Sequence, residues 1–141
     1  MSDEDRHLRI PAAIDQIGAA CEFVARVARA AGMGEDGVYH CQLSVEEICT
    51  NIIEHGYHYN SDRNFIDIVC ELHPGRLIIR IFDDAPRFNP LELPDPNPGL
   101  PLWEREGGGW GVYFVRKFMN HIAYSYDNSR NQLILEKAII S

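Results

Sequence analysis

Proline concentrates in one stretch of this chain and limits where regular structure can form. Six of the eight prolines lie within residues 85–106: Pro86, Pro90, Pro94, Pro96, Pro98 and Pro101. Because proline lacks a backbone donor and restricts φ, most of this stretch cannot be helix or sheet. Such a long irregular segment is uncommon in a chain of 141 residues and is usually functional. We therefore expect a lid at about residues 85–106, within a single domain spanning residues 1–141.

Periodic patterns on both sides of this stretch predict helices and strands. Residues 12–31 and 37–56 repeat apolar side chains at helical spacing, and residues 65–72 and 76–84 alternate like two strands joined by a Pro-Gly turn. A short edge strand at residues 7–10 can precede them. A helix at residues 112–121 and strands at residues 122–126 and 132–139 follow the prolines. This order predicts an α+β fold, a two-layer α/β sandwich with helices on one face of a mixed, largely antiparallel sheet.

Charge and cysteine usage narrow the classes of function. The formal net charge of -8 disfavours nucleic-acid binding through the overall field, so any phosphate site must be local. The polar first residues and the lack of a long apolar run predict a cytoplasmic protein without a membrane segment. Four cysteines without C-x-x-C spacing lie in apolar patterns, which favours buried reduced thiols over a metal or redox site.

Three polar residues, Glu47, Asn51 and His55, recur every four positions on one stripe of the second helix. Other polar residues extend this stripe: His40, Ser44 and His58. A carboxamide oxygen can bind Mg²⁺, and a carboxylate one turn earlier can accept a proton in phosphoryl transfer. Taken alone, such a stripe is more typical of a solvated helix face. The H-x-x-H pair of His55 and His58 is a weak zinc signal, because no recognisable spacing supplies a third ligand.

Asp83 ends the second hairpin strand on the same face as Ile79 and Ile81, whereas Asp84 faces the opposite side. At the rim of a pocket, the Asp83 carboxylate can accept a hydrogen bond from an exocyclic amine such as that of adenine. Without further context, a turn in which each aspartate binds the following backbone is the more common arrangement.

Four glycines, Gly107, Gly108, Gly109 and Gly111, stand directly ahead of the third helix. Glycine backbone N–H groups can approach an anion closely, and a helix N-terminus adds partial positive charge, so this segment suits phosphate. It lacks the G-K-[ST] of a P-loop, and no strand precedes it as in the dinucleotide fingerprint. The alternative is a flexible hinge that closes the lid.

Together, the motifs E-x-x-x-N-x-x-x-H-G-Y, D-D-x-P-x-F-x-P and G-G-G-x-G resemble those of the GHKL or Bergerat-fold ATPases. Within that superfamily the chain is most similar to the anti-sigma-factor serine kinases, and the similarity covers nearly the whole sequence. The resemblance implies ATP and Mg²⁺ as cofactors and transfer of the γ-phosphoryl group to a serine or threonine of an anti-sigma-antagonist (STAS-type) protein. It also implies a sigma factor as a partner, and a homodimer.

By this resemblance, Glu47 is the general base, Asn51 is the Mg²⁺ ligand and Asp83 binds the adenine amine. The other residues of the implied nucleotide site are His55, Arg105, Gly107, Gly108, Gly109 and Gly111. The chain departs from the superfamily in having Ala85 and Arg87 where glycines follow the strand aspartate. It also has Asn131 and Gln132 where a threonine often lies near adenine.

Three other functions are weighed against the serine kinase, and the first of them fits the sequence least. A sensor histidine kinase shares the fold but needs an acceptor histidine on an upstream helix, and residues 12–31 contain no histidine. The main alternative is a non-catalytic module that binds ATP and sequesters a sigma factor or another regulator. A plain interaction domain with a degenerate pocket is the third possibility.

Overall fold

Five strands and three helices make up the computed structural model, which describes residues 6–92 and 110–141. The strands are His7–Pro11 (β1), Phe65–His73 (β2), Arg76–Asp83 (β3), His121–Asp127 (β4) and Arg130–Ala138 (β5). The helices are Ile17–Ala30 (α1), Glu35–Asn51 (α2) and Trp110–Phe118 (α3). The strand order is β1-β2-β3-β5-β4, and every described pairing is antiparallel. The expected two-layer fold is confirmed, and the described sheet is antiparallel throughout.

The core lies between the helices and one face of the sheet. Alternate residues of the central strands are fully buried there, as period-two alternation requires: Ile66, Ile68, Ile79, Ile81 and Leu135. Helices α1 and α2 contribute their apolar stripes to the same cluster: Val24, Val27, Ala28, Val45 and Ile48. None of the helices in the described ranges is long and apolar enough to cross a membrane.

The helix boundaries differ from those expected, for local reasons. A 3-10 turn, Ile14–Gln16, precedes α1. Helix α2 begins early, at Glu35, and its first turn carries two acidic residues that complement the positive end of the helix dipole. After Asn51 the chain continues as a π-helical turn, Ile52–Gly56, in which the N–H of Tyr57 donates to the carbonyl of Ile52 at 2.9 Å.

All four cysteine thiols are free, and three of them are buried. Burial raises the pKa of Cys41 and of Cys70 to about 12, and that of the half-buried Cys21 to about 11. Because the thiolate is the reactive and metal-binding form, these thiols are unreactive near neutral pH.

Asp67 forms the centre of an ionic network on the sheet face opposite the helices. Its side chain is only 4% exposed, and its Oδ1 lies 3.0 Å from His7 Nε2 and 2.8 Å from Arg9 Nε. Arg130 reaches Oδ2 from β5, and its guanidinium lies 5.0 Å from the centre of the Phe82 ring. Burial alone would raise the Asp67 pKa, but these three partners lower it to about 2. The network therefore joins β1, β2 and β5 across β3.

Asp67→Asn is expected to lower the free energy of unfolding by about 1–3 kcal/mol at pH 7, because three donors lose a charged acceptor. The pKa of Asp67 is lower in the folded chain than its ordinary value of 3.8. The stabilisation is therefore fully present above about pH 4 and is lost as the pH falls towards about 2. Urea denaturation from pH 7 to pH 3 measures this difference.

Glu71→Gln, which breaks a half-exposed pair with Arg80 at 2.7 Å, serves as the control with less than about 1 kcal/mol expected. An equal effect of both substitutions contradicts the assignment.

Candidate functional site

Asp83 lies buried at the end of β3, with 4% of its surface exposed. Its Oδ1 accepts the N–H of Ala85 at 3.0 Å and Nδ2 of Asn131 at 2.9 Å. Burial raises the Asp83 pKa to about 6, and both hydrogen bonds oppose that rise. By contrast, Asp84 is 62% exposed and binds Arg130 at 3.1 Å. The Asp83 carboxylate is therefore both a turn residue, bound to the following backbone, and a buried acceptor whose described hydrogen bonds all fall on one oxygen.

A small pocket adjoins this carboxylate. Its walls come from α2, the sheet and the start of the expected lid: Ile48, Ile52, Asp83, Phe88, Pro90, Tyr124, Asn131 and Leu133. Its volume is about 10 Å³, barely enough for one water molecule. Arg116 of α3 donates a hydrogen bond to the carbonyl of Leu91 at 2.6 Å. This bond connects the start of the expected lid to α3. A purine does not fit in this volume, so the pocket must widen before a nucleotide can enter. Residues 93–106 of the expected lid lie outside the described residues.

The polar stripe of α2 faces α3 rather than solvent. Ser44 is fully buried, and the His40 ring stacks on the Phe118 ring with centroids 4.6 Å apart. Asn51 is 8% exposed, and its Nδ2 donates to the carbonyl of Glu47 at 3.0 Å, which leaves its oxygen available as a ligand. The Glu47 side chain is half-buried, and burial, with smaller contributions from the neighbouring glutamates, raises its pKa. The solvated-face interpretation of the stripe is therefore wrong for these residues.

Gly111, the second residue of α3, lies against Glu47. A Cβ at position 111 would be 1.8 Å from Oε2 and 2.6 Å from Cδ of Glu47. A side chain at position 111 would therefore displace the Glu47 carboxylate, which lies against the first turn of α3. Gly107, Gly108, Gly109 and Arg105 lie outside the described residues, and their roles stay predictions.

His55 lies within the π-helical turn, in which the angular spacing of the side chains differs from that between Glu47 and Asn51. Its side chain is 45% exposed and lies 3.8 Å from Glu54 Oε2, and its ring centroid is 5.6 Å from that of Phe88. His55 therefore lies beside Phe88, one of the residues that line the pocket. No cluster of three His, Cys, Asp or Glu side chains suited to a metal ion occurs in residues 6–92 and 110–141.

Tyr57, the last residue of the H-G-Y motif, has a structural role that no sequence pattern predicts. It is buried, and its hydroxyl donates to the carbonyl of Phe65 at 2.9 Å and accepts the N–H of Asp84 at 2.8 Å. It therefore fixes the chain that leaves β3. A Cβ at Gly56 would lie 3.1 Å from that of Ala85. The missing side chain at position 56 thus makes room for Ala85.

Comparison with known proteins shows the family and the fold. Residues 10–137 match the family described as the histidine kinase-like ATPase domain. Among curated relatives, the serine-protein kinase RsbW of Bacillus mycoides (strain KBAB4) is 27% identical over 140 residues, covering 93% of this chain and 83% of the relative. The protein of the same name from Bacillus thuringiensis (strain Al Hakam) is 26% identical with the same coverage.

Among solved structures, that of the RsbU and RsbW domains of Rv1364c from Mycobacterium tuberculosis is similar, with a TM-score of 0.66 and 13% identity. The match covers 94% of this chain and 31% of that chain, and at this identity the likeness concerns the fold alone. The family match extends over most of the chain and leads to one assignment. The chain belongs to the family of histidine kinase-like ATPase domains.

Proposed function

We propose that this protein is an anti-sigma factor that binds Mg-ATP and phosphorylates a serine or threonine of an anti-sigma-antagonist (STAS-type) protein. The observation that carries the proposal is the buried Asp83 carboxylate, which lies in the wall of a cavity also lined by α2. Relatives named serine-protein kinase support phosphotransfer to a protein hydroxyl.

Asp83 suits adenine because its second oxygen, Oδ2, accepts none of the hydrogen bonds described for this side chain. An exocyclic amine can donate a hydrogen bond to that oxygen. A carbonyl oxygen at the same place could not, because it and the carboxylate are both acceptors. The apolar cavity walls, such as Ile48, Ile52 and Leu133, suit the faces of a purine ring.

Asn51 fits a role as a Mg²⁺ ligand. Its amide nitrogen is used by the Glu47 carbonyl, so its oxygen remains for a hard cation. When bound, Mg²⁺ neutralises charge on the phosphates. The glycines before α3, Gly107, Gly108 and Gly109, and Arg105 are assigned to the phosphates in this proposal.

Glu47 is the proposed general base. In the transfer step, the hydroxyl of the partner's serine gives its proton to the Glu47 carboxylate while its oxygen bonds to the γ-phosphorus. The bond between the γ-phosphorus and the β,γ-bridging oxygen breaks, and ADP leaves. Burial raises the Glu47 pKa towards neutrality, which makes this carboxylate a better proton acceptor.

The proposed setting is the cytoplasm, with a sigma factor as the second partner and a homodimer as the working form. Strand β1 lies at one edge of the described sheet, which leaves an edge where a second copy can pack. Phosphate added to the antagonist would disrupt its interface through charge and desolvation, and the chain would exchange partners.

Incubation of the purified chain with γ-labelled Mg-ATP and a STAS-type antagonist tests the proposal. Label is expected on the antagonist, and a chelator of Mg²⁺ is expected to prevent its transfer. ATP binding without any label transfer would select the non-catalytic sequestering module instead. Lack of nucleotide binding would leave only the interaction domain.

Gly111→Ala is expected to slow phosphotransfer by about 10²-fold at saturating Mg-ATP, because the added methyl must displace the Glu47 carboxylate. Stability is expected to stay the same or to rise, since alanine favours a helix by up to about 1 kcal/mol. Label-transfer rates and thermal unfolding measure both effects. Gly18→Ala is the matched control, because Gly18 is the second residue of α1 and a Cβ there meets nothing within 4 Å. Equal transfer rates in the two variants would contradict the contact.

A further inference from the structure

Asn131 lies directly opposite Asp83 in the pairing of β3 with β5, and only 3% of its surface is exposed. Its Nδ2 donates to three acceptors: Asp83 Oδ1 at 2.9 Å, the Ala85 carbonyl at 3.0 Å and the Pro86 carbonyl at 3.3 Å. Its Oδ1 accepts from two donors: the Phe88 N–H at 3.1 Å and the Tyr124 hydroxyl. Because one end of the amide meets only acceptors and the other only donors, its orientation is determined.

In this orientation the Asn131 NH₂ group, on strand β5, donates a hydrogen bond to Asp83 Oδ1. The Ala85 N–H supplies a second donor to the same oxygen at 3.0 Å. A carboxyl group that accepts two hydrogen bonds is favoured in its ionised form and is restrained from rotating. The other oxygen then presents a fixed acceptor to the cavity.

We propose that Asn131 is the positioning residue that sets base specificity: it holds Asp83 as an oriented acceptor, so that the cavity takes adenine and rejects guanine. A protonated or rotated Asp83 could instead donate to the carbonyl oxygen of guanine. Asn131 itself need not touch the nucleotide. The inference rests on the proposed nucleotide site and adds how that site chooses its base.

The ionisation of Asp83 gives a readout that a purely structural role would not move. The Asn131 hydrogen bond lowers the Asp83 pKa, against the rise that burial causes to about 6. Other titratable or charged groups act on Asp83 or respond to it: Asp84, Arg130, Tyr57, Cys49 and Tyr124. These groups, and the other residues of the proposed site, are the same in the wild type and in an Asn131 variant, so the difference between the two pH profiles reports Asp83.

The test is titration of ATP and GTP, each with Mg²⁺, into the full chain between pH 5 and 9. Wild-type ATP affinity is expected to fall below about pH 6. For Asn131→Ala, the midpoint of that fall is expected to rise by roughly 1–2 pH units, because a hydrogen bond to a charged group is lost. Its ATP preference over GTP at pH 7 should fall about tenfold and recover towards pH 9. Ser125→Ala, which changes an exposed residue on the opposite face of the neighbouring strand β4, is the control.

Asn131→Asp keeps the shape of the side chain and guards against a folding defect in the alanine variant. Its midpoint is expected to rise further, since two neighbouring carboxyl groups resist double ionisation. Unchanged midpoints and unchanged selectivity in both variants would overturn the inference while leaving ATP binding intact. A wild-type chain that binds neither nucleotide would overturn the proposed function and this inference together.

Discussion

Glu47→Gln is expected to reduce the rate of phosphotransfer by about 10²–10⁴-fold, the range that a positioned general base contributes. Glutamine keeps the length and hydrogen-bonding oxygen of the side chain but cannot take up the proton of the partner's serine. Because the substitution also removes a half-buried charge with a raised pKa, folding should not suffer. ATP affinity should change little, so the loss should appear in the rate of label transfer under saturating Mg-ATP.

Glu46→Gln is the matched control for this prediction. Glu46 is the preceding residue of α2 and is exposed, whereas Glu47 is half-buried beneath α3. The control removes the same charge from the same helix without reaching the site. Equal label transfer in both variants and in the wild type would show that no carboxylate at position 47 serves as the base.

Asp83→Asn is expected to weaken ATP binding by about 10²-fold, because a charged acceptor is lost and a donor replaces it. The asparagine oxygen would keep the hydrogen bonds from Ala85 and Asn131, which places its NH₂ group where Oδ2 was. That NH₂ group and the adenine amine are both donors, so no hydrogen bond can form between them. The NH₂ group could, however, donate a hydrogen bond to the carbonyl oxygen of guanine. The variant should therefore also lose its preference for ATP over GTP.

The same substitution is expected to keep or increase stability near pH 7. Since the Asp83 pKa is raised to about 6 in the folded chain, the folded state binds more protons than the unfolded state between about pH 4 and 6. Wild-type stability should therefore fall as the pH rises through that window, and Asp83→Asn should remove this contribution. Asp84→Asn is the control, because Asp84 is 62% exposed. A large loss of stability in Asp83→Asn would contradict the assignment of its role to binding.

Several elements of the fold could be predicted from the sequence because they depend on local periodicity. The β2–β3 hairpin follows from two alternating runs around Pro74 and Gly75, and Gly75 adopts a φ of +77° that few other residues tolerate. Helices α1 and α2 follow from their apolar spacing. The position of Asp83 on the core face follows from alternation with Ile79 and Ile81.

Features that depend on tertiary contacts could not be predicted in this way. The stripe of Glu47 and Asn51 resembles a solvated face until α3 covers it, and no pattern within α2 specifies that packing. The π-helical turn that contains His55 changes the backbone hydrogen bonding, and the apolar spacing of the sequence does not indicate it. The Asp67 network joins residues from three strands, and Asn131 reaches Asp83 only through the β3–β5 register. These contacts link residues more than 40 positions apart.

Calorimetric titration of ATP into the wild-type chain, with and without Mg²⁺, tests the central claim most directly. We expect binding of one nucleotide per chain that tightens with Mg²⁺, and loss of that tightening in Asn51→Ala, because Asn51 is the proposed ligand. No heat of binding with ATP in either condition, from a chain shown to be folded by its thermal transition, would contradict the nucleotide site on which the rest depends.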